Sequence, residues 1–511
     1  EFAKSHLPLM VIDEQIYENP PTLLFGTVDK FAMIPFKSEF GRLFGFREDN
    51  KNRIKPPDLI IQDELHLISG PLGTMVGLYE TLIQTLCNDY KKYKYPFIES
   101  GISFSAPKII ASSATISRAY EQVKGIYGID SRSKLNIFPA QGLKFGDTWF
   151  SEEKEISDEF PGRNYIGILA PGYPSTQTAI VRVYSSILQK IKELSHDVNE
   201  GKINYYWTLL SYFNSIRELG GTSSLVYGDI RERLGQIQNR DLIEKDKKRN
   251  YLKTVELTSR IESTNIPDVL KQLEVVFKND SSNKALDICL ATNMVATGVD
   301  IQRLGMMIIH GQPKTTAEYI QASSRVGRDV PKGPGIIFTI YSPSKARDKS
   351  QYEQFQGYHS KIYANVEPTS VTPFSINTRE RSLHSIFIGF IRHFSESFIK
   401  DPKIESNPKE FEDLADIISD IISERCKIID NDELDNTLKM LNNIKKRWKN
   451  GGYQHYGDAG NMGINEHNYQ PLMFSTSAEV NELIKLDNTS FPTGTSMRGV
   501  DSTSNLKIFK Y

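Results

Sequence analysis

Cysteine is scarce in this sequence, and long apolar runs are absent from it. Its three cysteines lie far apart and none belongs to a CxxC pair, which argues against a zinc ribbon or a cysteine-ligated cluster. The same scarcity is typical of a reducing compartment, so we expect a cytoplasmic protein. No stretch of about eighteen consecutive apolar residues is present, so the sequence predicts no membrane-spanning helix.

Neither sign of charge is in excess, because 62 Lys and Arg residues oppose 63 Asp and Glu residues and the net charge is −1. Any binding of nucleic acid would therefore need a local basic groove, since the chain offers no global cationic field. The length of 511 residues is more than one hydrophobic core usually serves and suggests about three domains.

The first block of the chain alternates short apolar runs with helical patterns, which predicts a parallel α/β sheet. The elements predicted there are three buried strands and one helix: Pro21–Val28, Asp58–Gln62, Lys108–Ala111 and Gly73–Leu86, respectively. The stretch from about Ser131 to Arg163 is rich in Gly, Pro, Ser and acidic residues, and we predict an extension that leads to a linker.

A second α/β block and a helical block follow. The strands predicted in the second block are Tyr205–Phe213, Leu286–Ala291, Met306–His310 and Gly335–Tyr341. Its predicted helices are Thr178–Leu194, Ile266–Phe277 and Thr315–Ser324. The helices predicted beyond Pro343 are Ser382–Phe398, Glu410–Cys426 and Asp432–Trp448. We therefore predict two α/β domains, residues 1–160 and 161–345, and a mainly helical accessory domain, residues 346–511.

Two adjacent acidic residues follow the predicted strand Asp58–Gln62. Asp63 and Glu64 would lie at the carboxyl end of a parallel strand, where open α/β sheets bind ligands. ATP hydrolysis needs one acid to hold Mg²⁺, usually through water, and a second acid to orient the attacking water. Asp63 suits the first role and Glu64 the second. The alternative is an acidic pair that caps the next helix.

Two hydroxyl residues, Ser113 and Thr115, follow the next predicted strand. Hydroxyl groups there can hydrogen-bond to the acidic tetrapeptide Asp63–His66 and couple to its state. A helix cap is the alternative for so short a match. Their position one strand after Asp63 favours the coupling role.

A glycine turn and a pair of arginines mark the second block. The segment Ala291–Asp300 follows a predicted strand and turns at Gly298, where freed backbone N–H groups can bind phosphate or ribose oxygens. Further along, Gln321 precedes Arg325 and Arg328, two arginines that can point at one triphosphate. An arginine supplied across a cleft accelerates phosphoryl transfer by about 10³ to 10⁵. The alternative is a solvated basic helix end.

The order of these motifs resembles that of superfamily 2 helicases of the DExH type. The segments that resemble motifs Ib to VI are Gly26–Lys30, Asp63–His66, Ser113–Thr115, Phe213–Ser215, Ala291–Asp300 and Gln321–Arg328. The resemblance covers residues 20–345 and implies two RecA-like domains, the first incomplete at its N-terminus, with ATP and Mg²⁺ between them. It implies ATP contacts from the second domain by Gly298, Asp300, Gln321, Arg325 and Arg328. His66 and Gln321 would couple the two domains.

The same resemblance implies a nucleic-acid path over both domains. The residues at the corresponding motif positions are Thr27, Lys30, Asn214, Ser215, Arg217 and Thr292. Short hydroxyl and amide donors bind phosphate oxygens without distinguishing bases, so we expect binding that is sequence-independent and salt-sensitive. Local roles are the alternatives, a turn for Thr27 and a helix cap for Asn214.

A closer resemblance is to DrmA-type helicases, the helicase family of the bacterial DISARM anti-phage system. The segments that carry it are Pro20–Phe36, Asp63–Thr74, Arg347–Ser375 and Ser496–Val500. It implies action on single-stranded DNA or a single/double-strand junction in antiviral defence, with a DrmB-type partner protein. A non-hydrolysing DNA-binding clamp and an RNA helicase are the alternatives.

One helicase element is missing from the sequence. No GxxxxGK[ST] loop, whose amides and lysine hold the β and γ phosphates, is present in the 511 residues. Either that loop lies in a segment upstream of Glu1, or the chain is a non-hydrolysing remnant. Because Asp63, Glu64 and both arginines are intact, we favour the first explanation. We expect the chain alone not to hydrolyse ATP appreciably.

Overall fold

The structure is a computed structural model of the chain. It describes residues 9–46, 55–88, 106–113, 119–140, 142–143, 146–152, 154–173, 175–280, 283–292, 300–367, 370–457, 471–476 and 490–497. The chain divides into two compact units. The first unit combines residues 1–136 with 368–511, and the second unit is residues 137–367.

Strands and helices alternate through the second unit, whereas helices dominate the first. The strands are β1 (Leu59–Gln62), β2 (Lys108–Ala111), β3 (Arg163–Leu169), β4 (Leu209–Phe213), β5 (Thr254–Leu257), β6 (Ile288–Ala291), β7 (Met306–His310), β8 (Gly335–Tyr341), β9 (Met473–Ser475) and β10 (Phe491–Thr493). The α-helices are α1 (Asp13–Glu18), α2 (Gly70–Leu86), α3 (Ala119–Tyr127), α4 (Thr176–Leu194), α5 (Glu200–Trp207), α6 (Ile216–Tyr227), α7 (Asp229–Arg240), α8 (Ile266–Glu274), α9 (Thr316–Ser323), α10 (Ala346–Glu353), α11 (Phe355–Ser360), α12 (Ile376–Thr378), α13 (His384–Phe394), α14 (Pro408–Ile429) and α15 (Leu434–Asn450). The 3₁₀ turns are Val28–Met33, Ser38–Phe44, Leu65–Leu67, Arg132–Lys134, Lys245–Lys247, Ser263–Asn265, Val330–Lys332, Ile362–Asn365, Ile404–Ser406 and Asn431–Glu433, and a π-helical turn is Arg379–Leu383.

The second unit is built on a parallel six-stranded sheet with the order β3-β8-β7-β4-β6-β5. Its central strands β4, β6 and β7 are buried along their whole length, because helices cover both faces of the sheet. Side chains alternate between those faces. Leu209 packs in the core with α4, α6 and α7, while Leu210 packs in the core with α8 and α9.

The first unit has a smaller sheet and a helical core. β1 and β2 pair in parallel, with Gln62 opposite Ala111. Side chains of α2, α13, α14 and α15 share one hydrophobic core, against which Ile60 of β1 packs. On the opposite face of the same sheet, Ile61 is 63 % exposed and Ile110 is 45 % exposed. One face of this small sheet is therefore uncovered within the described residues.

Most of the predicted elements are present, and the α/β class is confirmed. β1 and β2 match the strands predicted from the sequence, as do β6, β7 and β8. The strand predicted at Pro21–Val28 is wrong, since a 3₁₀ turn begins at Val28 and the apolar residues before it are exposed. Tyr205–Phe213 is divided, because α5 ends at Trp207 before β4 begins.

The boundaries of the compact units differ from those of the predicted domains. The structure divides the chain near residues 136 and 367, whereas the sequence suggests boundaries near 160 and 345. β3 begins at Arg163, where a linker was expected to end, and it is an edge strand of the second sheet. Among the described residues, no helix is both long enough and apolar enough to cross a bilayer.

Candidate functional site

Asp63 is held at the carboxyl end of β1 by two hydrogen bonds to one of its oxygens. The hydroxyl of Ser112, at the same end of β2, donates to Asp63 Oδ1. The backbone N–H of Glu64 donates to this oxygen at 2.9 Å. Asp63 Oδ2 makes no hydrogen bond within the described residues, and the side chain is exposed. The arrangement fits a carboxylate that reaches Mg²⁺ through a water molecule.

Glu64 adopts a left-handed backbone conformation, with φ of 52°. That conformation costs an L-residue roughly 1–2 kcal/mol and must be imposed by its surroundings. The next residue fixes the turn, because the N–H of Leu65 donates to the carbonyl oxygen of Ser112 at 2.8 Å. The Glu64 side chain is 39 % exposed, so the turn presents a carboxylate to solvent beside Asp63.

His66 is buried below the two acids, with 8 % of its surface exposed. Its Nδ1 lies 3.2 Å from Ser113 Oγ and 3.4 Å from Glu64 Oε2. Its Nε2 is buried and has no hydrogen-bond partner within the described part of the chain. The structure therefore brings together Asp63, Glu64, His66 and Ser113. Thr115 lies outside the described residues.

Gln122 supports this turn from α3 and was missed in the sequence. Its side-chain amide donates to the carbonyl oxygens of Leu65 and Ile68, both at 2.9 Å. Gln122 is 3 % exposed, so these two hydrogen bonds are shielded from water. Nothing in the local sequence indicates the role, because Gln122 lies 57 residues from Leu65 along the chain.

In the second unit, Arg328 and Asp300 are in contact. An Nη atom of Arg328 forms an ion pair with Asp300 Oδ1, and the Arg328 Nε donates to the carbonyl oxygen of Ser324 at 3.2 Å. The arginine side chain is 28 % exposed and the aspartate side chain is 65 % exposed. An anion could therefore reach this arginine from solvent. Gly298 lies outside the described residues.

The turn that carries the two arginines is packed tightly at Gly327. This glycine has φ of 75°, and a Cβ placed on it would lie 2.6 Å from the Cα of Gly335. Its N–H donates to the carbonyl oxygen of Leu304 at 2.9 Å, and Arg163 Nε donates to the carbonyl oxygen of Val326 at 2.9 Å. The backbone between Arg325 and Arg328 is thus fixed to the sheet.

Gln321 lies on α9, two residues before the helix ends. It is 6 % exposed, and its carbonyl oxygen accepts a hydrogen bond from Ser324 Oγ at 3.0 Å. Gln321, Arg325 and Arg328 therefore share one helix and the turn that follows it. This placement agrees with the prediction that one element of the fold presents all three residues.

The predicted nucleic-acid residues of the first unit lie on its surface. Thr27 and Lys30 are both exposed, and Lys30 Nζ pairs with Asp13 Oδ2 at 2.8 Å. Asp29, between them, accepts hydrogen bonds on one oxygen from Ser496 Oγ at 2.8 Å and from the Met497 N–H at 3.0 Å. The segment near the end of the chain therefore holds this turn.

The predicted nucleic-acid residues of the second unit differ in exposure. Ser215 caps α6 by accepting a hydrogen bond from the Glu218 N–H at 3.2 Å, so the cap considered for Asn214 belongs to its neighbour. Asn214 Nδ2 instead donates to the carbonyl oxygen of His310 at 2.9 Å. Arg217 is exposed on α6, and Thr292 is 6 % exposed after β6. Their contacts with nucleic acid stay predictions.

The chain is similar to known proteins over all or part of its length. Residues 207–330 match the model of the helicase conserved C-terminal domain. The chain is 36 % identical over 544 aligned residues to the DISARM protein DrmA of Bacillus paralicheniformis, an alignment that covers 100 % of this chain and 46 % of that protein. Over its whole length the chain is therefore similar to DrmA, and within residues 207–330 it is similar to the helicase conserved C-terminal domain. It spans less than half the length of that relative.

More distant similarity is confined to part of the chain or to its fold. Nucleolar RNA helicase 2-A of Xenopus laevis is 26 % identical over 126 residues, which cover 25 % of this chain and 16 % of that protein. The DNA-bound structure of the DUF1998 helicase MrfA matches with a TM-score of 0.45 and 16 % identity over 74 % of this chain and 40 % of that one. The helicase Lhr of Mycobacterium smegmatis, bound to single-stranded DNA and AMP-PNP, matches with a TM-score of 0.45 and 13 % identity over 80 % of this chain and 42 % of that one.

Proposed function

We propose that this chain forms part of an ATP-dependent DNA helicase or translocase that works in the cytoplasm in bacterial defence against phage. The observation that carries the proposal is the turn after β1, where Asp63 and Glu64 both face solvent at the end of a parallel strand. That edge is where α/β sheets bind nucleotides. The DrmA homology supports the cellular role.

The nucleotide would be held by acids from one unit and by cations from the other. Asp63 would hold Mg²⁺ through water, and Glu64 would orient the water that attacks the γ-phosphate. A triphosphate would replace Asp300 as the partner of Arg328, with Arg325 and Gln321 beside it. The bond to the γ-phosphate of the Mg²⁺-bound triphosphate would be broken, and the protein would position the reactants and stabilise the charge that develops.

The phosphate-binding loop would come from polypeptide that covers the bare face of the β1–β2 sheet. Parallel sheets are normally covered on both faces, yet Leu59, Ile61 and Ile110 are 46 %, 63 % and 45 % exposed on one face here. Further polypeptide would pack on these residues, would pair with the sheet at its edge, and would place a GxxxxGK[ST] loop near Asp63. The relative DrmA is long enough to contain such a segment.

His66 would couple the nucleotide site to the opposite unit. Its buried Nε2 has no partner within the described residues, and a buried ring nitrogen without a hydrogen bond is destabilising. The side chain of Gln321 would provide that partner when the two units close on ATP. Opening of the two units after hydrolysis would then break this hydrogen bond. Each cycle of hydrolysis would move the DNA contacts of one unit relative to those of the other.

Single-stranded DNA, or a junction of single- and double-stranded DNA, would bind through phosphate contacts. Thr27, Lys30 and Arg217 are exposed and suited to this task, while Asn214, Ser215 and Thr292 would contribute through local rearrangement or backbone groups. A DrmB-type protein would be the partner, by homology with DrmA. Binding should weaken steeply as salt rises, because counterions return to the phosphates.

The substitution Glu64→Gln in the gene product that contains this chain tests the proposal. DNA-stimulated ATP hydrolysis should fall below detection while binding of ATP persists, because the amide keeps the shape but cannot orient the attacking water as a carboxylate does. Glu121→Gln, an exposed glutamate on α3, is the matched control and should behave as the parent. Unchanged turnover in Glu64→Gln would overturn the assignment.

Two other functions predict different results in the same assay. A DNA-binding clamp would bind DNA and show no ATP hydrolysis in the parent protein. An RNA helicase, as the name of the nucleolar relative that matches a quarter of the chain suggests, would be stimulated by RNA. Competition between labelled DNA and unlabelled RNA of the same sequence separates these substrates.

A further inference from the structure

We propose that Tyr358, His359 and Glu367 are positioning residues for the arginine helix, and we call them the brace. The proposal rests on the proposed function, because it assigns the brace a role in aiming Arg325 and Arg328 at the nucleotide. The brace lies within the second unit, downstream of the helicase motifs, and contacts α9 at its beginning and middle.

Glu367 holds the first residue of α9. Its two carboxylate oxygens accept the Thr316 N–H at 2.8 and 3.1 Å, and Oε1 accepts the Thr316 hydroxyl at 3.0 Å. The helix also has an ordinary cap, since Thr315 accepts a hydrogen bond from the Glu318 N–H. Glu367 therefore adds a negative charge at the positive end of a helix that is already capped. Capping of the helix N-terminus alone would not require Glu367, because Thr315 already provides the cap.

Tyr358 joins this contact to the sheet. Its hydroxyl donates to Thr316 Oγ1 at 3.1 Å and accepts from Gln312 Nε2 at 3.2 Å. Gln312 follows β7, is 3 % exposed, and its backbone N–H is bound by the buried carboxylate of Asp348 at 3.1 Å. A continuous chain of hydrogen bonds thus runs from β7 through Tyr358 and Thr316 to Glu367.

His359 holds the middle of α9. Its Nδ1 lies 2.8 Å from the carbonyl oxygen of Phe355, which can only accept, so Nδ1 carries the hydrogen. Its Nε2 must therefore accept from the hydroxyl of Tyr319, 3.0 Å away. Burial lowers the pKa of His359, which agrees with a neutral ring in this role. Tyr319 itself is fully buried, so the helix cannot rotate without breaking this hydrogen bond.

The brace matters for the arginines because hydrogen bonds connect both of them to the end of α9. The Arg325 N–H donates to the carbonyl oxygen of Ala322 at 3.2 Å, and Arg328 Nε donates to that of Ser324. A shift or rotation of α9 would therefore disturb the hydrogen bonds that orient both arginines, even though the turn at Gly327 is fixed to the sheet. Glu367 is also the last residue of the second unit, so the chain leaves that unit at the point where the helix is held.

Glu367→Gln and Tyr358→Phe test the brace in the gene product that contains this chain. Each should lower kcat for DNA-stimulated ATP hydrolysis about fivefold, since each removes part of the hydrogen-bonded chain that holds α9, and should leave KM for ATP nearly unchanged. Glu353→Gln, an exposed glutamate in the same segment, should match the parent. Glu367→Asp, which keeps the charge, should recover part of the lost rate.

A double-mutant cycle separates positioning from stability. In an Arg328→Ala background, Glu367→Gln should cost much less than it does alone, because the brace acts through the arginine. A purely structural role would give the same factor in both backgrounds and would overturn the proposal. So would an unchanged kcat in both single variants.

Hydrogen exchange tests the brace by a measurement that does not depend on ATPase activity. Glu367→Gln should speed exchange at the backbone amides of α9 while α6 in the same unit exchanges as in the parent. If the parent protein proves to have no ATPase activity, the proposed function fails. Faster exchange in Glu367→Gln would still establish that the brace holds α9. If α9 exchanges as in the parent, the brace itself is refuted.

Discussion

The six-stranded sheet and the β1–β2 sheet of this molecule differ in how completely they are covered. The six-stranded sheet of the second unit is covered by helices on both faces, and its central strands are fully buried. The β1–β2 sheet of the first unit carries Asp63 and Glu64 at its end, yet one of its faces is uncovered within the described residues. The described strands around the cationic half of the proposed nucleotide site are therefore covered by helices, whereas the described strands of the acidic half leave apolar surface for a further element.

The largest effect is expected on the side of the complete sheet. Arg328→Ala should lower ATP turnover by about 10³-fold or more, because a guanidinium group that meets the developing phosphate charge contributes 10³ to 10⁵. Single-turnover hydrolysis measures this directly. Arg240→Ala removes an exposed arginine that pairs with its neighbour Asp241, and it should hydrolyse ATP at the parental rate. Equal rates for the two variants would remove Arg328 from the site.

The difference in coverage should be visible in stability. Ile308→Ala, in the middle of β7 and fully buried, should lower the free energy of unfolding by about 2–5 kcal/mol, since it leaves a cavity between packed helices. Ile61→Ala, 63 % exposed on β1, should cost less than about 0.5 kcal/mol in this chain. Urea unfolding of both variants measures the contrast. A large loss for Ile61→Ala would show that its face is already covered.

Alanine substitutions at two glycines of the second unit test how tightly the turn between Arg325 and Arg328 is packed. Gly327→Ala places a Cβ 2.6 Å from the Cα of Gly335 at a positive φ and should destabilise the unit by about 1–3 kcal/mol. Gly235→Ala, on α7 with no atom within 4 Å of the new Cβ, should stabilise it by about 0.5–1 kcal/mol. Thermal unfolding should move in opposite directions for the two variants, and a shift in the same direction would contradict the close packing at Gly327.

In the first unit, a moderate effect is expected at Gln122. Gln122→Ala removes two buried hydrogen bonds to the turn after β1 and should cost about 1–2 kcal/mol. Gln236→Ala on α7, whose side-chain contacts are at the surface, should be close to neutral. Chemical denaturation measures both. A neutral Gln122→Ala would mean that the acidic turn keeps its shape without support from α3.

Local patterns predicted several strand ends well, and Asp63, Glu64 and Ser113 follow two of these ends closely in sequence. β1 and β7 are uninterrupted apolar runs, so their ends and the residues after them could be placed. β3 was missed because Arg163, Asn164 and Gly167 interrupt its apolar pattern. The apolar run Pro21–Val28 was mistaken for a strand, since a strand also needs a neighbour and the sequence does not reveal one.

Long-range contacts could not be predicted from the same patterns. Gln122 supports a turn that lies 57 residues away, and Glu367 holds Thr316 from 51 residues away. The helices α13, α14 and α15 have the periodicity of an amphipathic domain, but the sequence does not indicate that their apolar faces pack in the same core as α2. Such pairings depend on how the whole chain is folded.

The central claim is that one nucleotide is bound by the acids of the first unit and the arginines of the second. An ATP analogue with a photoreactive group on the γ-phosphate, bound to the Glu64→Gln protein with Mg²⁺ and single-stranded DNA, tests it directly. Mass spectrometry should find labelled peptides both around Asp63–Glu64 and around Arg325–Arg328, and excess ATP should remove both. Labelling of only one of these segments at saturation would contradict the shared site.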